Sequence, residues 1–150
     1  MARISELIRK IPVTAARGEM DPEIDSIEFD SRKVVPGTLF VAVKGTKSDG
    51  HDFIGSAVAA GAVAIICSRI PEDASGDVRW ILTGDPAEAL GIVASEFYGN
   101  PSSSLKLTGV TGTNGKTTTA TLLYRMFSAL GYKCGLFSTV CNYIAGKELP

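Results

Sequence analysis

The sequence predicts an α/β protein: a small N-terminal α/β domain, residues 1–100, followed by the first βαβ unit of a phosphate-binding-loop domain, residues 101–150. Three observations lead there. Short apolar runs alternate with helical periodicities through the first hundred residues, the pattern of a layered, largely parallel sheet. Tyr98-Gly99-Asn100-Pro101-Ser102-Ser103-Ser104 interrupts this pattern with turn and linker residues, marking a boundary. Beyond it the order strand, glycine loop, helix begins again.

In chain order, Ile4, Leu7, Ile8 and Ile11 fall on one helical face that Pro12 closes. Ile24 to Phe29 reads as a strand, with the turn-prone Asp30-Ser31-Arg32 after it. Pro36-Gly37 is a turn, and Leu39-Phe40-Val41-Ala42-Val43 is a continuous apolar run suited to a buried strand. Asp49-Gly50 breaks the chain before a helix carrying Phe53, Ala57 and Ala60 and ending near Gly61. Ala62 to Cys67 is another buried strand, and Arg79 to Leu82 a further one. Pro86 opens a helix running to Phe97. In the second segment Leu105 to Thr108 is expected as a strand. Leu122, Leu123, Met126, Phe127 and Leu130 give the next helix an apolar side, Gly131 ends it, and Cys134 to Ser138 reads as a strand. One βαβ unit cannot cover both faces of its sheet, so the chain is expected to be the N-terminal portion of a longer protein, the alternative being that the unit packs onto the first domain as extra strands.

Composition narrows the class. With 45% hydrophobic and 21% charged residues and a net charge of −1, no attraction to nucleic acid or an anionic membrane is expected. No apolar run approaches the roughly 20 residues that span a bilayer. Charges at Glu6, Arg9 and Lys10 occupy the place of a signal peptide's apolar core. Cys67, Cys134 and Cys141 form no CxxC pair, and a reducing, cytoplasmic location is expected.

The strongest chemical signal is Gly109-Val110-Thr111-Gly112-Thr113-Asn114-Gly115-Lys116-Thr117-Thr118. Glycines let backbone N–H groups turn toward phosphate oxygens, and a helix start adds free donors and partial positive charge. Lys116 can reach the outer phosphates, and the Thr117 hydroxyl can ligate Mg²⁺. The common G-x-x-x-x-G-K-[ST] spacing would place glycine at Val110; here the glycines are Gly109, Gly112 and Gly115, with Gly-Lys-Thr retained. The expected ligand is ATP. A lysine at a helix start with no anion beside it would oppose the helix dipole.

Thr111 to Thr118 resembles the ATP loop of the Mur ligases and of the related folylpolyglutamate synthetases. Asp30-Ser31-Arg32, Pro36 through Gly45 and Asp49-Gly50-His51-Asp52-Phe53 resemble an N-terminal domain shared by the third-residue and D-Ala-D-Ala branches of the Mur ligases and absent from the synthetases. Ser138-Thr139-Val140 and the Gly-Thr-Asn form of the loop are more similar to the branch that adds the third stem-peptide residue. The resemblance implies a peptidoglycan-precursor ligase using ATP and Mg²⁺ to activate the D-glutamate carboxylate of UDP-MurNAc-L-Ala-D-Glu as an acyl phosphate. A diamino acid, diaminopimelate or lysine, then attacks to form the amide. It implies that Phe29 and Ser31, with the loop Thr46, Lys47 and Ser48, contact the UDP moiety. Gly112, Thr113, Asn114, Gly115, Lys116, Thr117 and Thr118 would hold ATP, Lys116 being catalytic and Thr117 the Mg²⁺ ligand. Further Mg²⁺ ligands, a carbamylated lysine and the amino-acid pocket would lie beyond Pro150, leaving residues 1–150 inactive alone. A monomer is expected.

Other readings stand beside these. Ser31 could cap a turn, Arg32 could pair with Asp30, Lys47 could be solvated, and His51 could sit at a helix start without acting as a base. Trp80 reads as ordinary strand packing. The whole could be the D-Ala-D-Ala-adding branch of the family, a UDP-sugar-binding module with a non-catalytic loop, or a generic P-loop ATPase or kinase. The last leaves the first hundred residues unexplained.

Overall fold

The structure, a computed structural model, describes residues 2–46, 48–72, 74 and 77–149. It divides into two compact units, Met1–Leu105 and Lys106–Pro150.

In the first unit, β1 (Ala2–Arg3) leads into α1 (Ile4–Leu7), which a 3₁₀ turn, Ile8–Lys10, prolongs. The expected apolar face is real: Ile4, Leu7 and Ile11 are buried. The chain continues as β2 (Val13–Arg17), β3 (Glu23–Ile24) and β4 (Ser26–Glu28), so the single strand expected from Ile24 to Phe29 is broken at Asp25. Then come β5 (Thr38–Val41), α2 (Ile54–Ala59), β6 (Ala62–Cys67), β7 (Arg79–Thr83) and α3 (Pro86–Phe97). Asp85 caps α3, its carboxylate accepting from the Ala87 and Glu88 amides at 2.9 and 3.0 Å, with Pro86 in the first turn.

The main sheet has the order β2-β7-β6-β5-β4. Strands β4 to β7 are parallel, and β2 lies antiparallel on the β7 edge. Because side chains alternate across a strand, the apolar runs divide into two cores. Leu39, Val41, Ala64, Ile66 and Ile81 pack with Ile4, Leu7, Ala89 and Val93 from α1 and α3. Phe40, Ala42, Ile65, Cys67 and Trp80 pack with Ile54 and Ala57 from α2. This is a mixed sheet covered on both faces, the α/β class read from the sequence. Trp80 is the strand-packing residue expected. Thr38 is fully buried, but its hydroxyl meets Ser26 Oγ at 2.8 Å and accepts from the Val35 amide at 3.1 Å. Burial pushes the Cys67 thiol up to about 11.

The second unit differs from expectation. Leu105 to Thr108 is not a strand: among the described residues nothing pairs with it, and an extended segment without a ladder has no sheet to join. Helix α4 (Lys116–Ala129) forms as expected. Gly131, at φ 88°, ends it, with Gly131 and Tyr132 amides donating back to Ser128 and Phe127 carbonyls at 3.0 Å. In place of a lone parallel strand, β8 (Gly135–Phe137), β9 (Asn142–Ile144) and β10 (Lys147–Leu149) form an antiparallel meander. This corrects the expected βαβ unit. The apolar side of α4 is largely open: Leu122, Met126, Phe127 and Leu130 are exposed, and Leu136 is the one buried hydrophobic residue among those described in this unit.

The β9–β10 hairpin turns through Ala145 and Gly146, at φ 48° and 85°. Positive φ at both central residues defines a turn that favours Asn-Gly, and alanine in this conformation carries strain. Ala145→Asn is expected to stabilise the hairpin by about 0.5–1 kcal/mol, read as an upward shift in thermal midpoint; a fall would contradict the turn geometry.

Candidate functional site

Each unit carries one set of the expected site residues. In the first, Phe29 and Ser31 follow β4 directly, and the Lys44–Asp49 loop follows β5. Strands β4 and β5 are hydrogen-bonded neighbours running in the same direction, Glu28 opposite Phe40, so both segments leave the same, C-terminal edge of the sheet. That edge is where open α/β sheets receive nucleotides. Phe29 is 63% exposed, a large aromatic face with no core to fill. Ser31 is half-buried and opens a 3₁₀ turn, Ser31–Lys33, whose cap is Asp30, not Ser31. Arg32 resolves as Asp30's partner: its Nε and a terminal amine reach the two carboxylate oxygens at 2.9 and 2.7 Å. The Arg32 side chain, and then its amide, hold the Asp30 carboxyl down to about 2. Ser31 is thereby free of the capping role and its side chain is available to a ligand.

Thr46 and Ser48 are exposed in the loop after β5; Lys47 lies outside the described residues. The loop is closed by a bridge between Lys44 and Asp49 and by the Gly45 amide donating to the Ser48 carbonyl at 2.9 Å. Gly50 is required beneath it, since a Cβ there would lie 2.7 Å from the Val43 carbonyl oxygen and 2.8 Å from its nitrogen. His51 lies in the first positions of a 3₁₀ turn, Gly50–Phe53, at the helix entry that the sequence suggested, and its ring also bonds Asp49 and Ser68. An isolated Asp-Gly-His shows the cap; only the fold brings Ser68 to it.

In the second unit, Gly112 to Thr118 lead into α4. Gly115, at φ 78°, occupies the cap position and so cannot lend a side-chain cap. No acidic residue stands in the first turn of α4. This contrasts with α3, whose Asp85 fills the same role for its own amides. An uncapped helix start with no negative charge is suited to receive an anion. Added Cβ atoms at Gly109 and Gly115 would meet nothing within 4 Å, so the loop is open at both glycines. Lys116 folds back, its Nζ donating to the Gly112 and Thr113 carbonyls, the latter at 3.3 Å. Thr113, Asn114 and Thr118 are exposed, and Thr117 is half-buried. The residues present fit a nucleotide's phosphates: amides and lysine for the charge, the Thr117 hydroxyl for Mg²⁺. Among the described residues no group of three His, Cys, Asp or Glu is placed to hold a metal.

Along the chain, a sheet edge with open loops thus precedes a helix start that has no side-chain cap. Residues 23–98 match the Mur ligase family, catalytic domain, and residues 110–149 match the Mur ligase middle domain. The chain belongs to the Mur ligase family. It is 53% identical over 146 residues to the UDP-N-acetylmuramoyl-L-alanyl-D-glutamate–2,6-diaminopimelate ligase of Cytophaga hutchinsonii, covering 97% of this chain and 30% of that protein. The same-named ligase of Chlorobaculum tepidum is 43% identical, covering 99% of this chain and 30% of its own length. Among solved structures, a ligase of that name aligns with TM-score 0.71 and 25% identity, covering 99% of this chain and 30% of that one. MurF of Thermotoga maritima, in complex with ADP, aligns with TM-score 0.57 and 36% identity over 81% of this chain and 27% of its own. The chain thus spans about 30% of the length of the curated relatives it matches.

Proposed function

We propose that these residues form the nucleotide-substrate domain, and the start of the ATP domain, of an ATP-dependent amide ligase adding diaminopimelate or lysine to UDP-MurNAc-L-Ala-D-Glu. The observation that carries this reading is the combination of two phosphate-competent segments in chain order: the shared β4/β5 edge and the uncapped start of α4. Relatives named for the diaminopimelate step support the third-residue branch over the D-Ala-D-Ala branch.

In this reading Phe29 packs on the uracil ring, and Ser31, Thr46, Lys47 and Ser48 meet ribose and phosphate oxygens. Gly112 to Thr118 orient ATP, Lys116 neutralising charge on the transferred phosphoryl group and Thr117 holding Mg²⁺. Bound ATP supplies the phosphoryl group that makes the carboxylate a good acyl donor for the incoming amine. The amino-acid pocket belongs to the remaining length of such ligases, so residues 1–150 alone are expected to bind nucleotides and turn over nothing. The protein acts in this proposal as a cytoplasmic monomer without nucleic acid or membrane. Among the described residues no helix is long and apolar enough to cross a membrane, and Cys67, Cys134 and Cys141 are free thiols.

Calorimetric titration of the 150-residue chain with UDP tests it. The expected result is saturable binding that Phe29→Ala and Ser31→Ala each weaken by about 5- to 20-fold, the worth of one stacked ring or one ligand hydrogen bond. Binding that ignores both changes would move the uridine site elsewhere.

A further inference from the structure

His51 is nearly sealed, its side chain 5% exposed, yet every polar atom of its ring is engaged. Nδ1 lies 2.6 Å from Asp49 Oδ1, and Nε2 lies 3.0 Å from the Ser68 amide and 3.1 Å from Ser68 Oγ. A backbone N–H can only donate, so Nε2 presents its lone pair and Nδ1 carries the proton, donating to the Asp49 carboxylate. The array resembles an Asp-His-Ser triad in order alone. The lone pair that would accept the Ser68 hydroxyl proton is already held by the Ser68 amide.

The two ends of the ring grip two different strand ends. Asp49 closes the loop after β5, and its carboxylate also accepts from the His51 amide at 3.0 Å and from Arg69 at 3.3 Å. The His51 amide, and then its ring, hold the Asp49 carboxyl below the usual range. Ser68 directly follows β6, the neighbour of β5 in the sheet. Asp49 is therefore the closing post of the loop, and the imidazole is the tie from that post to the next strand.

We propose that His51 is a positioning residue for the nucleotide loop: its imidazole clamps Asp49 to Ser68 and so holds Thr46 and Ser48 at the sheet edge for a uridine diphosphate. This rests on the reading of Thr46 and Ser48 as uridine-nucleotide contacts. The ring itself touches no substrate.

The test pairs UDP calorimetry with amide hydrogen exchange on the 150-residue chain. His51→Ala is expected to weaken UDP binding about tenfold, the order of one lost charge-assisted hydrogen bond. It should also speed exchange at Gly45, Gly50 and Ser68 while leaving the β6 and β7 amides protected. His51→Gln, whose side-chain oxygen can accept from the Ser68 amide, should restore part of both effects. Ser68→Ala should change neither, because the backbone N–H carries that bond. Should the unaltered chain bind no UDP, the uridine reading fails and the exchange arm alone decides the clamp: faster Gly45 and Gly50 exchange in His51→Ala supports it, and unchanged exchange overturns it. Undiminished UDP affinity in His51→Ala, or exchange rising uniformly through β5 to β7, overturns the positioning role.

Discussion

On the proposed function, Lys116→Ala in the full-length protein is expected to lower the rate of amide formation by at least about 10²–10³-fold, the scale on which single preorganised charge-stabilising groups act. Binding of UDP should be untouched, since Lys116 and the β4/β5 edge belong to different units. The argument is electrostatic. Lys116 begins α4 at the positive end of the helix, where a cation alone is disfavoured, and the first turn holds no acidic residue to offset it. It instead donates to the Gly112 and Thr113 carbonyls. Both acceptors are main-chain oxygens of the loop, and in the proposed function a bound phosphate takes the lysine over from them. Lys116→Arg should recover little, because a planar fork replaces a compact charge in a tight loop. Steady-state assays of ADP release and amide product check this; near-normal turnover in Lys116→Ala would remove the loop from the chemistry.

Phe40→Ala is expected to cost the first unit about 3–5 kcal/mol. Phe40 is fully buried at the centre of β5, on the face shared with α2, among Ile54, Ala57, Ile65 and Trp80. A unit of this size holds roughly 5–15 kcal/mol in all, and each 1 kcal/mol shifts its midpoint by about 4–8 °C. Thermal or urea unfolding should therefore show a loss of tens of degrees, or an unfolded chain. A shift under a few degrees would mean that the two-core packing is wrong.

The sequence was most legible where periodicity and caps agree. The buried runs at Leu39 and Ala62, and the Pro86 helix, carry continuous apolar or capped patterns that leave one reading. Val13–Arg17 was missed because all five residues are exposed, so neither alternation nor a buried run marks that edge strand. The β9–β10 hairpin was missed because Ala145-Gly146 lacks the asparagine that signals such turns. Leu105 to Thr108 looks like a strand by composition, but a strand is defined by its neighbours. At the sites, Gly112 to Thr118 could be read directly, since spacing and chemistry sit within one short segment. The His51 clamp could not, because Ser68 reaches the local Asp49–His51 pair only when β5 and β6 pair. Arg32 shows the converse case: Asp30 is two residues away, and the local ion pair was readable as one of two alternatives.

The central claim is that one chain holds a uridine-nucleotide edge in its first unit and an adenine-nucleotide phosphate loop in its second. Amide chemical-shift mapping of the 150-residue chain with UDP, and separately with Mg²⁺–ADP, tests it most directly. The account predicts that UDP shifts Phe29, Ser31, Thr46 and Ser48, and that Mg²⁺–ADP shifts Gly112 to Thr118, each leaving the other set unmoved. Both nucleotides shifting one common set, or UDP perturbing only residues of the second unit, would contradict it.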